Sequence, residues 1–294
     1  MAVAFKAPVK DIVFGYEVVE TYDIISKIPA FSDFNEDIVI PTMEECAKFA
    51  EEVLAPINAI GDQQGATIKD GKVTMPKEFV DAYKSFSEAG WASISLPSEI
   101  GGGGMPIALS GGTLEILSTA NLAFGLAPGL AAGAISAINF HGSEEQKAKF
   151  LPKLVSGEWT GTMNLSEPQS GSDLGTITTK AEPQEDGTYK ITGTKVWITF
   201  GEHDLTDNII HLVLAKIPGS PEGTKGISMF IVPKVMVNED GSLGEDNNVS
   251  CISIEEKLGI HASPTCVMEY DGSVGYLVGE ENRGLNYMFT MMNE

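Results

Sequence analysis

Apolar residues in the first part of the chain recur at the spacing of amphipathic helices. One helix is expected to begin at a capping box of Thr42 and Glu45 and to end at Pro56. A second is expected over 77–89, with Gly90 as the residue that follows its last turn. Each has one apolar face, which predicts packing against other helices.

Two further segments, 110–124 and 128–140, are rich in Ala and Leu and nearly free of charge. Helices that are apolar on most sides are typical of the middle of a bundle. Ser143 and Gln146 form another capping-box pair, which predicts a helix that extends to about Val155. The first half is therefore expected to be an all-α bundle.

After Gly157 the pattern changes to short, β-branched runs bounded by turn residues, which predicts strands. The expected strands are 160–166, 188–192, 195–200, 209–216, 227–232 and 250–255. Asp-Gly pairs at 186–187, 240–241 and 271–272 indicate turns. Because no helix-length run interrupts the strands, the sheet is expected to be mainly antiparallel.

From about Arg283 the spacing becomes helical again, with Leu285, Met288, Phe289 and Met292 on one face. The sequence stops at Glu294 within this amphipathic run. Such a face needs a partner surface, so we expect the last residues to begin a further helical domain that is missing from the chain.

Composition narrows the possible partners. The formal net charge of -22 disfavours nucleic acid and anionic membranes, and requires that any anion site be built locally from amides or a few cations. The three cysteines are far apart, and the four histidines show no metal-ligand spacing, so no metal is expected. The N-terminus lacks a cleavage signal, which favours a cytoplasmic location. The glycine run 101–104 lacks a phosphate-loop spacing and is interpreted as a loop between helices.

Two short segments carry the candidate chemistry. In 163–173 a predicted strand ends in a hydroxyl, an acid and a proline, followed by a Gly, Ser and Asp loop that can form an anion-binding nest. In 195–199 the strand period of two places Trp197 and Thr199 on one face. An aromatic plane beside a hydroxyl suits a flat heterocycle, although a lone Trp is more often a core residue.

Together the two segments resemble the paired flavin-binding signatures of the acyl-CoA dehydrogenase family. Further resemblance to the family lies in 96–102, in 141–159 and in 279–284. The segments 6–12, 201–206, 237–248 and 257–260 are similar to the larger members, of the 3-methylmercaptopropionyl-CoA dehydrogenase type.

The resemblance implies an α+β fold, in which an all-α helical bundle precedes an antiparallel β-barrel-like domain and the C-terminal helical domain is missing. The implied limits are 1–40 for an N-terminal extension, 41–158 for the α-helical domain, 159–280 for the flavin-binding β domain, and 281–294 for the start of the C-terminal domain.

The resemblance also implies that FAD is the cofactor. Met163, Leu165 and Ser166 are expected along the flavin, with Ser166 standing where Thr is commoner in the family. The loop of Gly171 and Ser172 is expected to hold the FAD pyrophosphate or to touch CoA. The expected contacts of the ring itself are Trp197, Ile198 and Thr199, with Thr199 near flavin N5. Asn293 and Ser172 are expected to contact the substrate.

The implied reaction is α,β-dehydrogenation of an acyl-CoA thioester, with hydride transfer to flavin N5 and electron transfer to an electron-transferring flavoprotein. The family's catalytic base is a glutamate of the C-terminal domain, so no catalytic residue is assigned to this chain and the chain alone is expected to be inactive. Glu167 is interpreted as a structural part of its loop. The expected substrate is 3-methylmercaptopropionyl-CoA or another short acyl-CoA, and the full-length protein is expected to be a homodimer or homotetramer.

Three alternatives remain open at this point. An acyl-CoA oxidase uses similar signatures, and the sequence does not show oxygen access. A flavin-containing paralogue that binds nucleic acid is disfavoured by the charge of -22. A non-catalytic interaction module is distinguished by whether the C-terminal acid is present.

Overall fold

The computed structural model describes residues 4–293, which form a helical part followed by a β-sheet part. Within this range the α-helices are α1 (Val9–Val18), α2 (Thr21–Ile25), α3 (Glu36–Phe49), α4 (Ala55–Gln64), α5 (Lys77–Glu88), α6 (Ile107–Ala120), α7 (Leu122–His141), α8 (Glu144–Val155) and α9 (Gly284–Met292).

The start and end predicted for the first amphipathic helix are both wrong. α3 begins at Glu36, because the Asn35 side chain accepts a hydrogen bond from the Ile38 amide at 3.3 Å and so caps the helix earlier. Thr42 is inside α3, where its hydroxyl donates to the Ile38 carbonyl at 2.7 Å. Pro56 does not end the run. The chain passes through one π-helical stretch into α4, and Pro56 lies in the first turn of α4, directly after the π-helical stretch.

Two other local predictions are confirmed. α5 buries Phe79 and Phe86, and Gly90 follows it in the left-handed region at φ 76°. The capping box of α8 has both of its bonds, from the Gln146 amide to Ser143 Oγ at 3.2 Å and from the Ser143 amide to Gln146 Oε1 at 3.0 Å. Each signal depends on residues within one turn, so these helix ends can be predicted from the sequence alone.

α7 is the central helix, and it begins earlier than predicted. Asn121 separates it from α6, because its side chain accepts from the Phe124 amide at 3.1 Å and donates to the Leu54 carbonyl at 3.2 Å. By length and composition alone, α7 is long and apolar enough to cross a membrane. Ten of its 20 residues are nevertheless buried, and it packs against α6, α8, α9 and the sheet, which accounts for its apolar character.

Within residues 4–293 the strands are β1 (Thr67–Lys69), β2 (Lys72–Thr74), β3 (Trp159–Asn164), β4 (Lys180–Pro183), β5 (Tyr189–Thr199), β6 (Asn208–Lys216), β7 (Ile227–Pro233), β8 (Val235–Val237), β9 (Leu243–Asp246), β10 (Val249–Glu255) and β11 (Thr265–Leu277). Two pairs, β1 with β2 and β8 with β9, are separate hairpins. The other seven strands form one sheet.

The main sheet closes on itself, as the barrel-like prediction requires. β11 pairs with β5, β5 with β4, β4 with β6, β6 with β7, and β7 returns to β11. β10 and β3 add to this ring, and β3 pairs with β6 alone among the described strands.

The sheet is mixed, however, and the expectation of an antiparallel domain needs correction. β3 and β4 both run parallel to β6. A parallel pair needs a long crossover, which is usually a helix. Here the crossover from β3 to β6 consists of the loop after β3 and the β4–β5 hairpin. Because this crossover contains no long helix, the sequence pattern did not indicate the parallel pairing.

The longest strand, β11, was missed because the Asp-Gly pair at 271–272 indicated a turn. In the structure this pair forms a bulge, with Gly272 at φ 68° and a register shift between Asp271 and Ser273. The predicted runs 188–192 and 195–200 are likewise one continuous strand, β5. Asp-Gly favours a left-handed residue, and both a turn and a bulge satisfy that preference.

Candidate functional site

The two segments predicted to hold a flavin lie side by side. The chain leaves β3 at Asn164 and runs along β5, where the Val196 amide donates to the Ser166 carbonyl at 2.9 Å. The Lys195 ammonium donates to the Leu165 carbonyl, also at 2.9 Å. Residues about thirty positions apart in sequence are therefore joined by direct bonds.

Trp197 is exposed and is not a core residue. β5 carries a bulge between the pairs Lys195–Met268 and Ile198–Cys266, and Trp197 in this bulge has φ 60°. Its side chain is 56% exposed, whereas Ile198 is 2% exposed and packs in the barrel core. The bulge interrupts the regular alternation from which the shared face of Trp197 and Thr199 was predicted.

The loop after β3 reaches the exposed tryptophan. A Cβ built on Gly171 would lie 3.8 Å from Trp197 Cζ3, which is ordinary van der Waals contact. Gly171 and Ser172 are exposed, and Met163, Leu165 and Ser166 are half-buried. The loop of Gly171 and Ser172 therefore lies next to the indole. The predicted ring contact of the Ile198 side chain needs correction, because this side chain is buried in the barrel core.

The Glu167 carboxylate has a role that only the structure reveals in full. Oε1 accepts from the Lys195 ammonium and from the amide and hydroxyl of Thr179, at 2.9, 3.1 and 2.6 Å. Oε2 accepts from the amide and hydroxyl of Thr178 and from the Gln169 side chain, at 2.7, 2.9 and 2.7 Å. All the acceptor positions of this carboxylate are occupied, which supports the interpretation of Glu167 as structural.

The pKa values of Glu167 and Lys195 also indicate a structural role for Glu167. Burial alone raises the pKa of Glu167, but the Lys195 charge and the hydrogen bonds from Thr179 and Thr178 outweigh it and lower this pKa to about 2. Burial lowers the pKa of Lys195, and Glu167 opposes that change. A carboxylate that holds its charge so strongly is a poor proton acceptor, so Glu167 is unsuited to act as a base.

Sequence reasoning missed Lys195 as a partner of Glu167. The signal was present: one acid and one base stand in two segments already expected to meet. Paired burial is the usual way in which a protein accommodates two such charges, so the pair was within reach of the sequence.

Two buried histidines belong to the barrel and not to the site. His211 Nδ1 lies 2.7 Å from Thr162 Oγ1 on β3, and His203 Nε2 lies 2.9 Å from Thr160 Oγ1. Burial lowers the pKa of each to about 3, so both rings are neutral. Among residues 4–293 no group of three His, Cys, Asp or Glu is arranged to hold a metal ion.

Asn293 lies apart from the other predicted residues. It follows the last turn of α9, where its amide donates to the Phe289 carbonyl at 3.1 Å. No hydrogen bond within 4–293 links it to the loop of Ser172. Its predicted contact with the substrate stays a prediction.

Comparison with known protein families gives matches over most of the chain. The model of the acyl-CoA dehydrogenase N-terminal domain matches residues 42–158, and that of the middle domain matches residues 162–273. The chain belongs to the acyl-CoA dehydrogenase family. The resemblance deduced from the two signatures is thereby confirmed.

Individual relatives agree with this family. The chain is 48% identical over 288 residues to a 3-methylmercaptopropionyl-CoA dehydrogenase of Ruegeria pomeroyi, covering 98% of this chain and 49% of that protein. It is 40% identical over 282 residues to a butyryl-CoA dehydrogenase of Syntrophomonas wolfei, covering 92% of this chain and 44% of that protein. The chain thus spans about half the length of these relatives.

A solved structure supports the fold. The crystal structure of an acyl-CoA dehydrogenase from Bacillus anthracis complexed with FAD has a TM-score of 0.71 and 28% identity. The similarity covers 89% of this chain and 40% of that one.

The site of this acyl-CoA dehydrogenase family member fits a flavin. Neither the amide nor the hydroxyl of Ser166, nor the hydroxyl of Thr199, bonds to any group in residues 4–293. These free donors lie in the two segments that flank an exposed indole beside Gly171. A planar heterocycle that stacks on an aromatic ring and accepts hydrogen bonds at its edge meets these requirements.

Proposed function

We propose that the protein is an FAD-dependent acyl-CoA dehydrogenase that introduces an α,β double bond into a short acyl-CoA thioester. The observation that carries the proposal is the junction of 163–173 with β5, where the free donors of Ser166 and Thr199 accompany an exposed Trp197. The family membership supports the same activity.

In this proposal each residue has a binding or orienting role. When bound, FAD supplies the hydride acceptor at N5. Trp197 would provide the stacking surface, while the Ser166 amide and hydroxyl and the Thr199 hydroxyl would donate to the ring edge. Gly171 and Ser172 would hold phosphate or CoA groups, and Met163 and Leu165 would line the strand side. No catalytic base is assigned among these 294 residues, because the proposal follows the family, in which a C-terminal helical domain carries it.

The substrate and partners are part of the same proposal. The relative from Ruegeria pomeroyi supports 3-methylmercaptopropionyl-CoA as substrate, and those from Syntrophomonas wolfei support another short chain such as butyryl-CoA. We propose an electron-transferring flavoprotein as electron acceptor, a homo-oligomeric full-length protein and a cytoplasmic location. The formal charge of -22 supports the absence of nucleic-acid and membrane partners.

The test uses the complete gene product. The purified protein should show a flavin absorbance spectrum, and addition of butyryl-CoA or 3-methylmercaptopropionyl-CoA without oxygen should bleach it. Protein that lacks flavin and gains none on incubation with FAD would contradict the proposal. Turnover with an electron-transferring flavoprotein but not with oxygen separates a dehydrogenase from an oxidase.

A matched pair of variants locates the site. Thr199 and Thr192 both lie on β5, and Thr192 is an exposed residue near the start of the strand that is not assigned to the flavin. Thr199→Val should slow the bleaching, because it removes a donor near the reacting ring edge, and Thr192→Val should not. Equal effects of the two variants would place the flavin elsewhere.

A further inference from the structure

The ion pair of Lys195 and Glu167 is more deeply buried than its stabilising value explains. The side chains are 0% and 1% exposed, and their N–O distance is 2.9 Å. Removing two charges from water costs several kcal/mol per ion, and a buried pair is often no more stable than apolar residues of similar volume. Because stability alone does not explain the pair, and because it lies beside the segment 163–166, we expect a second role in positioning that segment.

The Lys195 ammonium bonds to two acceptors at once. It donates to Glu167 Oε1 and to the Leu165 carbonyl, each at 2.9 Å. Glu167 is in turn held by Thr178 and Thr179, so the ammonium has little freedom to move. The Leu165 carbonyl is consequently directed toward one fixed cation.

That carbonyl belongs to the peptide group whose other half is the Ser166 amide. In a planar trans peptide the C=O and N–H bonds point in opposite directions. Fixing the Leu165 carbonyl toward Lys195 therefore fixes the Ser166 N–H away from it. The next peptide is held from the same strand, because the Val196 amide donates to the Ser166 carbonyl at 2.9 Å.

The Ser166 N–H directed in this way donates no hydrogen bond to any group in residues 4–293. A hydrogen bond from a cation to a carbonyl also polarises the peptide and makes its N–H a stronger donor. The pair thus provides an amide with fixed direction and increased strength, aimed at a ligand acceptor.

Building on the proposed function, we propose that Lys195 and Glu167 form a positioning pair that orients and polarises the Ser166 amide toward the flavin ring edge, and so sets the reduction potential of bound FAD. Negative charge gathers on the ring when it is reduced, so a polarised donor favours the reduced form. Neither side chain of the pair touches the ring, and both act through one peptide group.

The test compares two lysines of the β-sheet part, each of which forms an ion pair with a buried glutamate. The double variant Lys195→Met/Glu167→Gln removes both charges together, which avoids leaving one of them buried alone. Lys234→Met/Glu202→Gln is the control, because it also removes both charges of an ion pair with a buried glutamate, and Lys234 makes no hydrogen bond to 163–166. FAD dissociation constants, reduction potentials and urea unfolding curves are measured for the complete gene products.

We expect the double variant to bind FAD about tenfold more weakly, the loss expected for one good hydrogen bond. Its bound flavin should have a more negative reduction potential than the wild type, while the control Lys234→Met/Glu202→Gln should have an unchanged potential. An unchanged potential in the double variant, or equal changes in both variants, would overturn the inference. Wild-type protein that binds no FAD would overturn the proposed function itself, so the two failures are distinguishable.

A gentler pair of variants keeps the test informative if the double variant does not fold. The Thr179 hydroxyl makes the shortest bond to Glu167, at 2.6 Å. Thr179→Val removes this donor and Thr179→Ser retains it. Only the valine variant should bind FAD more weakly, by about threefold, with a more negative potential. Identical potentials for the two variants would count against the positioning role.

Discussion

Replacing Gly161 by alanine tests how the helical part is docked on the strand that leads into the site. A Cβ at Gly161 on β3 would lie 2.4 Å from the Cβ of Ala134 on α7. Carbon atoms in contact lie about 3.5–4.0 Å apart, so the helix and the strand must separate by roughly 1 Å. Ala134 is fully buried, which leaves no room for its methyl group to move aside.

The expected magnitudes follow from this geometry. Overpacking by one methyl group costs about 1–3 kcal/mol of unfolding free energy. Ala134→Gly should cost about 2 kcal/mol, from helix propensity and one lost methyl group. The double variant Gly161→Ala/Ala134→Gly moves the methyl group from the helix to the strand. It should therefore be less destabilised than the sum of the single variants, by at least about 1 kcal/mol.

Urea unfolding of all four proteins, followed by tryptophan fluorescence, measures the coupling. Gly129→Ala is the control, because it makes the same change in α7 where a Cβ would meet nothing within 4 Å. It should be neutral or stabilising by up to about 1 kcal/mol. Additive effects of Gly161→Ala and Ala134→Gly would refute the close approach of α7 and β3.

Three further predictions concern the site, the barrel and the bundle. Trp197→Ala should weaken FAD binding by ~1–3 kcal/mol through lost stacking, as measured by equilibrium dialysis, and unchanged affinity would place the ring elsewhere. Burial lowers the pKa of His203 and His211 to about 3 from 6.5, so stability is fully present above pH 6.5 and falls as the pH drops toward 3. The loss at pH 5 should be about 2 kcal/mol per histidine in urea unfolding, and a midpoint independent of pH would contradict it. Ser143→Ala should cost about 1 kcal/mol by removing the cap of α8, and an unchanged midpoint would mean that the cap contributes nothing.

Local signals in the sequence identified the structures whose causes lie within a few residues. The α8 capping box and the left-handed Gly90 after α5 were predictable, because each depends on hydrogen bonds or backbone angles inside one turn. The same locality explains the error at α3, where two local signals competed. Asn35 supplies the actual cap, and Thr42 is an interior residue.

The two binding segments were also identified from sequence, because the polar and aromatic residues of each segment lie within a few positions of one another. The sequence does not show that the two segments are in contact. The structure does, because the Val196 amide donates a hydrogen bond to the Ser166 carbonyl. The exposure of Trp197 was not predictable, because it depends on a bulge that forms only when β5 is paired with β11.

The sequence by itself determined which stretches are helical, which are extended, and which residue types carry the chemistry, since these follow from spacing and side-chain type. Only the tertiary structure decided the parallel pairing of β3 with β6, the closure of the barrel, and the fully buried bond of Lys195 to Glu167. Those features join residues that are distant in the chain, and their free energy comes from burial and hydrogen bonding that exist only once the strands have met.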